Sequence, residues 1–264
     1  MKTDISENAA RFYDLSPENP DDVPFYQQRI PSPQARVLEL GCGTGRVLVP
    51  LAEKCSRILG VDISEAMLAV CRRKLAEKHL LLPSAEVRQG DITDIELGEE
   101  FDLIIAPFRV FQTLETDREV SGYFTTVREH LSSGGTAILT VGRPSLDAVR
   151  IRSEWVTDHQ RFRWEVPFEG GRVTLHDRRP RMDRAKLVVY PELVYRRYEE
   201  DRLVDEAVLE IALRCYYPEE LLSLIADQGF LIVNRWGGYA GEPYGEGLEL
   251  IVEIARSAQH ESQI

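Results

Sequence analysis

The stretch that most constrains this chain is Ala35-Arg36-Val37-Leu38-Glu39-Leu40-Gly41-Cys42-Gly43-Thr44-Gly45-Arg46. Its first six residues are largely apolar and rich in β-formers, the pattern of a strand buried on both faces. Glycine then falls at every second position. That removes Cβ where a chain leaves a strand, permits positive φ and lets a ligand lie against the backbone. The run Arg46 to Ala52 is expected to open a helix whose free N–H groups face an anionic ligand group. A strand, a glycine turn and a helix in this order describe a nucleotide-type site.

The residues around the glycines narrow the ligand. A dinucleotide fingerprint needs a third glycine where this chain has Arg46, whose side chain obstructs close helix–strand packing. The Gly-Lys-Ser/Thr of a P-loop is missing. Glu39, just before the first glycine, is poorly placed for pyrophosphate and well placed for a ligand carrying an ammonium group. Glu39-x-Gly41-x-Gly43-x-Gly45 resembles motif I of the class I S-adenosylmethionine (SAM)-dependent methyltransferases.

The flanking sequence repeats the strand–helix alternation. Arg57 to Asp62 reads as a second strand ending in a carboxylate, about 20 residues past the glycine turn, where an acid accepts from both ribose hydroxyls. Ser64 caps a helix through Lys78, with Met67, Leu68, Cys71 and Leu75 on its inner stripe. Ala85 to Gln89 forms a third strand running into Gly90-Asp91-Ile92, and Phe101 to Phe108 a fourth. Thr116-x-x-Glu119 is a capping box opening a helix through Leu131, closed by Gly134-Gly135, before a fifth strand, Thr136 to Val141. From Arg161 to Leu213 polar and apolar residues alternate, with Gly170-Gly171 as a hairpin turn, which predicts inserted antiparallel strands. Pro218 then opens a last helix ended by Gly229, and Phe230 to Arg235 and Leu248 to Ala255 complete the sheet as an antiparallel pair.

The fold class expected is therefore α/β: a doubly wound, mostly parallel seven-stranded sheet, Rossmann-like, with an inserted antiparallel β segment. The boundaries expected are 1–34 for an N-terminal helical cap, 35–144 for the ligand-binding core, 145–213 for the insertion and 214–264 for completion of the core. The insertion suits a lid over the ligand or a homodimer contact.

The resemblance assigns roles. It implies SAM as cofactor, with S-adenosylhomocysteine as product, held by the loop residues Gly41, Cys42, Gly43 and Gly45 together with Glu39. It adds Asp62 and Ile63 at the ribose, Met67, Asp91 and Ile92 around adenine, and Pro107 at the fourth strand tip. The segment Tyr13-Asp14 … Pro24-Phe25-Tyr26 resembles the family's cofactor-capping region, which puts Tyr13 at the methionyl end. Ile105-Ala106-Pro107-Phe108 departs from the Asp/Asn/Ser-Pro-Pro-Tyr/Phe of nucleic-acid amino-methyltransferases, and this counts against a base as acceptor. The activity implied is in-line methyl transfer to an N or O atom of a small molecule. Arg109 and Gln112 are the candidates to orient the acceptor, and His176 is the candidate base. His79, His130, His159 and His260 have no motif around them.

Composition limits the partners. A formal net charge of −12 over 264 residues argues against a broad grip on nucleic acid. The arginines between Arg150 and Arg202 are interleaved with acids, as on a sheet face laced by ion pairs. The first seven residues lack the apolar core of a secretory signal, no apolar run is long enough to span a membrane, and Cys42, Cys55, Cys71 and Cys215 show no metal-ligand spacing. A cytoplasmic protein with reduced thiols and no metal site is the expectation. Two alternatives stand beside it: a methyltransferase acting on protein or RNA, and a non-catalytic SAM-binding protein.

Overall fold

Period-two burial along the strands sets the layering. In β1 (Arg36–Leu40), Val37 packs into one apolar cluster, while Leu38 and Leu40 pack into a second on the opposite face. Both faces of this strand therefore need a helical cover. The computed structural model describes residues 7–80, 84–145 and 155–257. The first six residues, Arg150, His260 and the 146–154 part of the expected insertion lie outside the described residues.

Seven strands form the main sheet: β1, β2 (Arg57–Asp62), β3 (Ala85–Gln89), β4 (Phe101–Ala106), β5 (Leu131–Gly142), β11 (Phe230–Trp236) and β12 (Glu249–Arg256). Their order is β11-β12-β5-β4-β1-β2-β3. The β1–β2, β2–β3, β1–β4 and β4–β5 pairs are parallel, and β12 runs antiparallel to both β5 and β11. This is the doubly wound sheet expected, with its order reversing beside β1 and β4.

One face is covered by α2 (Val23–Gln27), α3 (Leu48–Leu51) and α4 (Glu65–Glu77), through Phe25, Tyr26, Leu48, Leu51, Leu68, Cys71 and Leu75. The other is covered by α5 (Asp117–His130) and α6 (Pro218–Asp227), through Val120, Tyr123, Phe124, Val127, Leu221 and Ile225. All four cysteines are free, and only Cys55 is not fully buried.

A second, antiparallel sheet is inserted between β5 and α6. It contains β6 (Thr157–Phe168), β7 (Gly171–Asp183), β8 (Val188–Glu199), β9 (Arg202–Glu210) and the two-residue β10 (Leu213–Arg214). Its inner face packs on α1 (Glu7–Tyr13): Phe12 meets Phe168 edge-on at 5.5 Å, amid Trp164, Val173, Leu175, Tyr195 and Leu209. The cap is thus held between the two sheets.

Three expected boundaries change. The helix expected from Arg46 is the single turn Leu48–Leu51, because the chain stays in turns from Gly43 to Val47. The helix expected through Leu131 ends one residue earlier, at His130, and the fifth strand, expected from Thr136, already begins at Leu131. The His130 ring accepts from the Leu97 N–H at 2.9 Å and bonds back to the Thr126 carbonyl at 2.7 Å, and Leu131 pairs with Phe101 as the next strand. The hairpin turn lies at Glu169-Gly170, one residue early. Gly171 is already in β7, where a Cβ would stand 2.0 Å from the Tyr198 carbonyl oxygen.

Candidate functional site

The C-terminal ends of β1, β2 and β3 open into one cavity of about 450 Å³. From the core it is lined by Gly41, Gly43, Asp62, Ile63, Met67, Gly90, Asp91 and Ile92, with Tyr13 on the cap side. This is the crevice where an open α/β sheet binds its ligands.

The glycine loop is built to leave room and to keep its own hydrogen bonds. Gly41 and Gly43 have φ of +75° and +52°; a Cβ on Gly43 would meet nothing within 4 Å, whereas one on Gly41 would lie 2.5 Å from Val110. The N–H groups of Gly41 and Cys42 donate to the Val61 carbonyl, at 2.7 and 3.0 Å, and that of Gly45 to the Cys42 carbonyl at 2.9 Å. The Gly43 N–H donates to Asp62 Oδ2 at 2.8 Å. Four N–H groups of the loop are thus spent internally, ahead of a one-turn helix.

Asp62 therefore braces the site as well as facing it. Its other oxygen accepts from the Ser64 N–H at 2.9 Å, so the carboxylate ties the β1 loop to the β2 tip and fixes both walls. Burial raises the Asp62 carboxyl above its ordinary range, while the N–H donors of Ser64, Gly43 and Ile63 pull it back toward the ionised form. Ile63 beside it is 42% exposed, an apolar surface left open inside the cavity. Asp91 holds its loop through the Thr93 N–H and hydroxyl, at 3.0 and 2.8 Å, and Met67 and Ile92 give that end an apolar wall.

Glu39 lies beneath the loop, 2% exposed, and its Oε2 has no hydrogen-bond partner among the described residues. Burial raises its carboxyl well above the ordinary range; Cys71 adds to that, and Arg46 opposes it. A buried acid with an empty acceptor calls for a donor that the ligand brings.

Other expected residues lie elsewhere. Cys42 turns its thiol inward toward Cys71, and Gly45 exists for packing, since a Cβ there would sit 2.4 Å from Cys71 Sγ. Pro107 is buried at the end of β4 and does not line the cavity. Gln112 is consumed by the fold: its Nε2 donates to the Arg214 carbonyl at 2.9 Å and its Oε1 accepts from the Gly142 N–H at 2.8 Å. Arg109 is exposed outside the cavity lining, with its Nε over Gly142.

His176 corrects a further expectation. Its neighbours Val173 and Leu175 in β7 face α1, so alternation sends His176 to the outer face, against the 57% exposed Phe162, with ring centroids 5.5 Å apart. Burial and Arg196 lower its pKa, leaving a neutral imidazole away from the cavity.

Sequence reasoning missed the far wall: Val110, Thr113 and Glu115 after β4, and Arg181, Tyr190 and the 209–212 segment from the inserted sheet. Arg181 pairs with Glu210 at 2.8 Å and stacks 3.4 Å over the Tyr190 ring, whose hydroxyl donates to Glu115 at 2.6 Å. That network joins the inserted sheet to the core across the cavity mouth. A strand end brought in from about 70 residues away leaves no local signal, because alternation reports faces and not ends.

Known proteins resemble this arrangement. A family model described as a methyltransferase domain matches residues 37–135. An N,N-dimethyltransferase from Streptomyces venezuelae, named for dTDP-3-amino-3,4,6-trideoxy-alpha-D-glucopyranose, is 29% identical over 126 residues, 48% of this chain and 50% of that protein. A phosphatidylethanolamine N-methyltransferase from Cereibacter sphaeroides is 41% identical over 87 residues, 33% of this chain and 42% of its own. The chain spans about half the length of the curated relatives it matches. Among solved structures, an S-adenosylmethionine-dependent methyltransferase from Clostridium acetobutylicum superposes with a TM-score of 0.76 at 16% identity, covering 96% of this chain and 98% of that one. Residues 37–135 match a methyltransferase domain, and the chain as a whole shares the fold of that solved methyltransferase.

Proposed function

We propose that this protein transfers a methyl group from SAM to an amino nitrogen of a small molecule. The observation that carries the reading is the cavity at the β1–β3 tips, walled by Gly41, Gly43 and the bracing Asp62, with the orphaned Glu39 oxygen buried beneath the loop. These residues fit SAM. Glu39 keeps an acceptor oxygen for an ammonium hydrogen, Asp62 keeps free lone pairs for ribose hydroxyls, and Met67, Ile63 and Ile92 offer apolar faces to adenine. Bound there, SAM supplies a methyl group already activated on a sulfonium.

The remaining work falls to the chain. Tyr13 and Val110 narrow the passage beside the loop, and the Arg181–Tyr190–Glu115 bridge closes the outer wall, which excludes water and aligns the acceptor lone pair. Acceptor nitrogen is supported by the relatives whose names specify N-methylation, several on dTDP-linked amino sugars. Asp62, Asp91, Glu115 and Glu210 against Arg181 leave the cavity net negative, which suits an amine.

An RNA acceptor is disfavoured by charge. The arginines of the insertion are paired with acids: Arg161 with Asp177 at 3.0 Å, Arg178 with Glu192 at 2.6 Å and Arg196 with Glu206 at 2.6 Å. A paired face has little positive field left for phosphate. Among the described residues no helix is long and apolar enough to cross a membrane, and a cytoplasmic location and a homodimer through the inserted sheet belong to the same proposal. Methyl-tritiated SAM incubated with paired amino and hydroxy sugars tests the chemistry. Label in the amino compounds alone is expected; label only in the hydroxy compounds would overturn nitrogen as the acceptor atom.

A further inference from the structure

Beside the cavity, past Tyr13, lies a polar cluster that the cofactor reading leaves unused. It sits where β4 and β5 end and β12 begins. The chain leaves β4 through Phe108 and Arg109, two successive non-glycine residues with φ of +53° and +85°. Such backbone persists where the surroundings impose it, and it concentrates at functional sites. The turn lays Arg109 over Gly142, where a Cβ would stand 3.0 Å from its Nε. Arg109 stays exposed, and its guanidinium has no hydrogen-bond partner among the described residues.

Under it is Glu249, the first residue of β12 and the ladder partner of Gly142. Glu249 is only 9% exposed, and its Oε2 has no hydrogen-bond partner among the described residues. The Tyr239 hydroxyl, within electrostatic reach of Glu249, is also buried and faces Thr140. The neighbouring polar groups are occupied: Asp22 is bound by Arg46 at 2.8 Å, and the Tyr26 hydroxyl is paired with Thr140 at 2.9 Å. Tyr13, which lines the cavity, is within electrostatic reach of both Arg46 and Arg109, while Glu249 and Tyr239 are not among its lining residues.

A buried carboxylate left with an empty oxygen asks for a donor of positive charge. Arg109 does not fill that role by a hydrogen bond, and its exposure leaves a way in from solvent. We propose that Glu249, with the Tyr239 hydroxyl beside it, receives the amino group of the methyl acceptor and takes its proton before transfer. The proposal rests on the amine reading above and adds the residue that recognises the amine.

The proton count closes. An acceptor arriving as R–NH3⁺ gives one proton to the Glu249 carboxylate, leaving R–NH2 and a neutral carboxylic acid. The nitrogen lone pair then forms the N–C bond as the S–C bond breaks, and that electron pair stays on sulfur. Burial pushes the Glu249 carboxyl up to about 7, against the pull of Arg109 and with the help of Asp22, so it exchanges a proton near neutral pH. Arg109 after β4 and Asp22 before α2 are the charged groups that act on it from the packed elements, and Tyr239 in the loop after β11 is the titratable group facing it.

The test uses the whole chain labelled with carboxyl-¹³C glutamate. The Glu249 signal is assigned by its loss in Glu249→Gln, or in Glu249→Asp if the amide variant does not fold. The signal is titrated in methylammonium chloride and, at matched ionic strength, in sodium chloride, with and without S-adenosylhomocysteine. A midpoint near 7 in sodium chloride that falls by at least about half a unit in methylammonium is expected for an ammonium at the carboxylate. Equal midpoints in the two salts would overturn the proposal. Failure of S-adenosylhomocysteine to bind, with the methylammonium shift intact, would instead sink the methyltransferase reading and leave the ammonium site standing.

Discussion

At the scale of single residues, the site depends on side chains that serve the fold and the ligand together. Asp62 reads in the sequence as a ribose acceptor, but its two backbone bonds make it the brace of the glycine loop as well. Gly41 shows how little space the loop has to spare. Gly41→Ala combines φ of +75° with a Cβ 2.5 Å from Val110, so it is expected to lower SAM affinity at least about tenfold, or 1.4 kcal/mol, by calorimetry. Glu249 gives a pH-dependent prediction. A carboxyl raised from 4.5 to about 7 on folding contributes stability that is fully present below pH 4.5 and is lost as pH rises through about 7. Glu249→Gln removes that loss. Urea unfolding should show the variant more stable than the parent by up to about 3 kcal/mol at pH 8, with the difference vanishing near pH 5; equal stabilities at both pH values would contradict the buried carboxylate.

At the scale of elements, what was legible follows local chemistry and what was hidden follows contacts between distant segments. Strand β2 matches its expected limits because its buried interior gives a nearly unbroken apolar run, and β3, a half-buried edge strand, matches its limits too. Helix α4 starts where Ser64 accepts from the Met67 N–H, and its inner stripe is buried as its spacing requires. The end of α5 was hidden because His130 and Leu131 are engaged by Leu97 and Phe101, partners no local pattern reveals. His176 was misplaced for a related reason: alternation in β7 says that two faces exist and not which one meets α1. The start of α5 was plain. Both halves of its box are formed, with Thr116 accepting from the Glu119 N–H at 3.2 Å and Glu119 accepting back at 2.9 Å. Thr116→Ala should cost about 1 kcal/mol in denaturant unfolding, with no change in the slope.

At the scale of the whole molecule, the N-terminal cap joins the cavity to both sheets. Asp14 accepts from the Thr44 hydroxyl at 2.6 Å and pairs with Lys74 at 2.6 Å, and Asp22, fully buried, holds Arg46. Arg163 of the inserted sheet reaches Glu18 at 2.5 Å. Breaking the buried Asp22–Arg46 pair leaves a charge stranded under the loop, so Asp22→Ala should cost about 3 kcal/mol and weaken SAM binding as the cap loosens. Limited proteolysis between α1 and α2 would read that loosening directly.

The central claim is that the cavity at the β1–β3 tips is a SAM site braced by Asp62. Calorimetric titration with S-adenosylhomocysteine and with NAD, on the parent and on Asp62→Ala, tests it most directly. The account predicts binding of S-adenosylhomocysteine alone, weakened more than about tenfold by the substitution. Binding of NAD alone, or an affinity for S-adenosylhomocysteine that Asp62→Ala leaves unchanged, would contradict it.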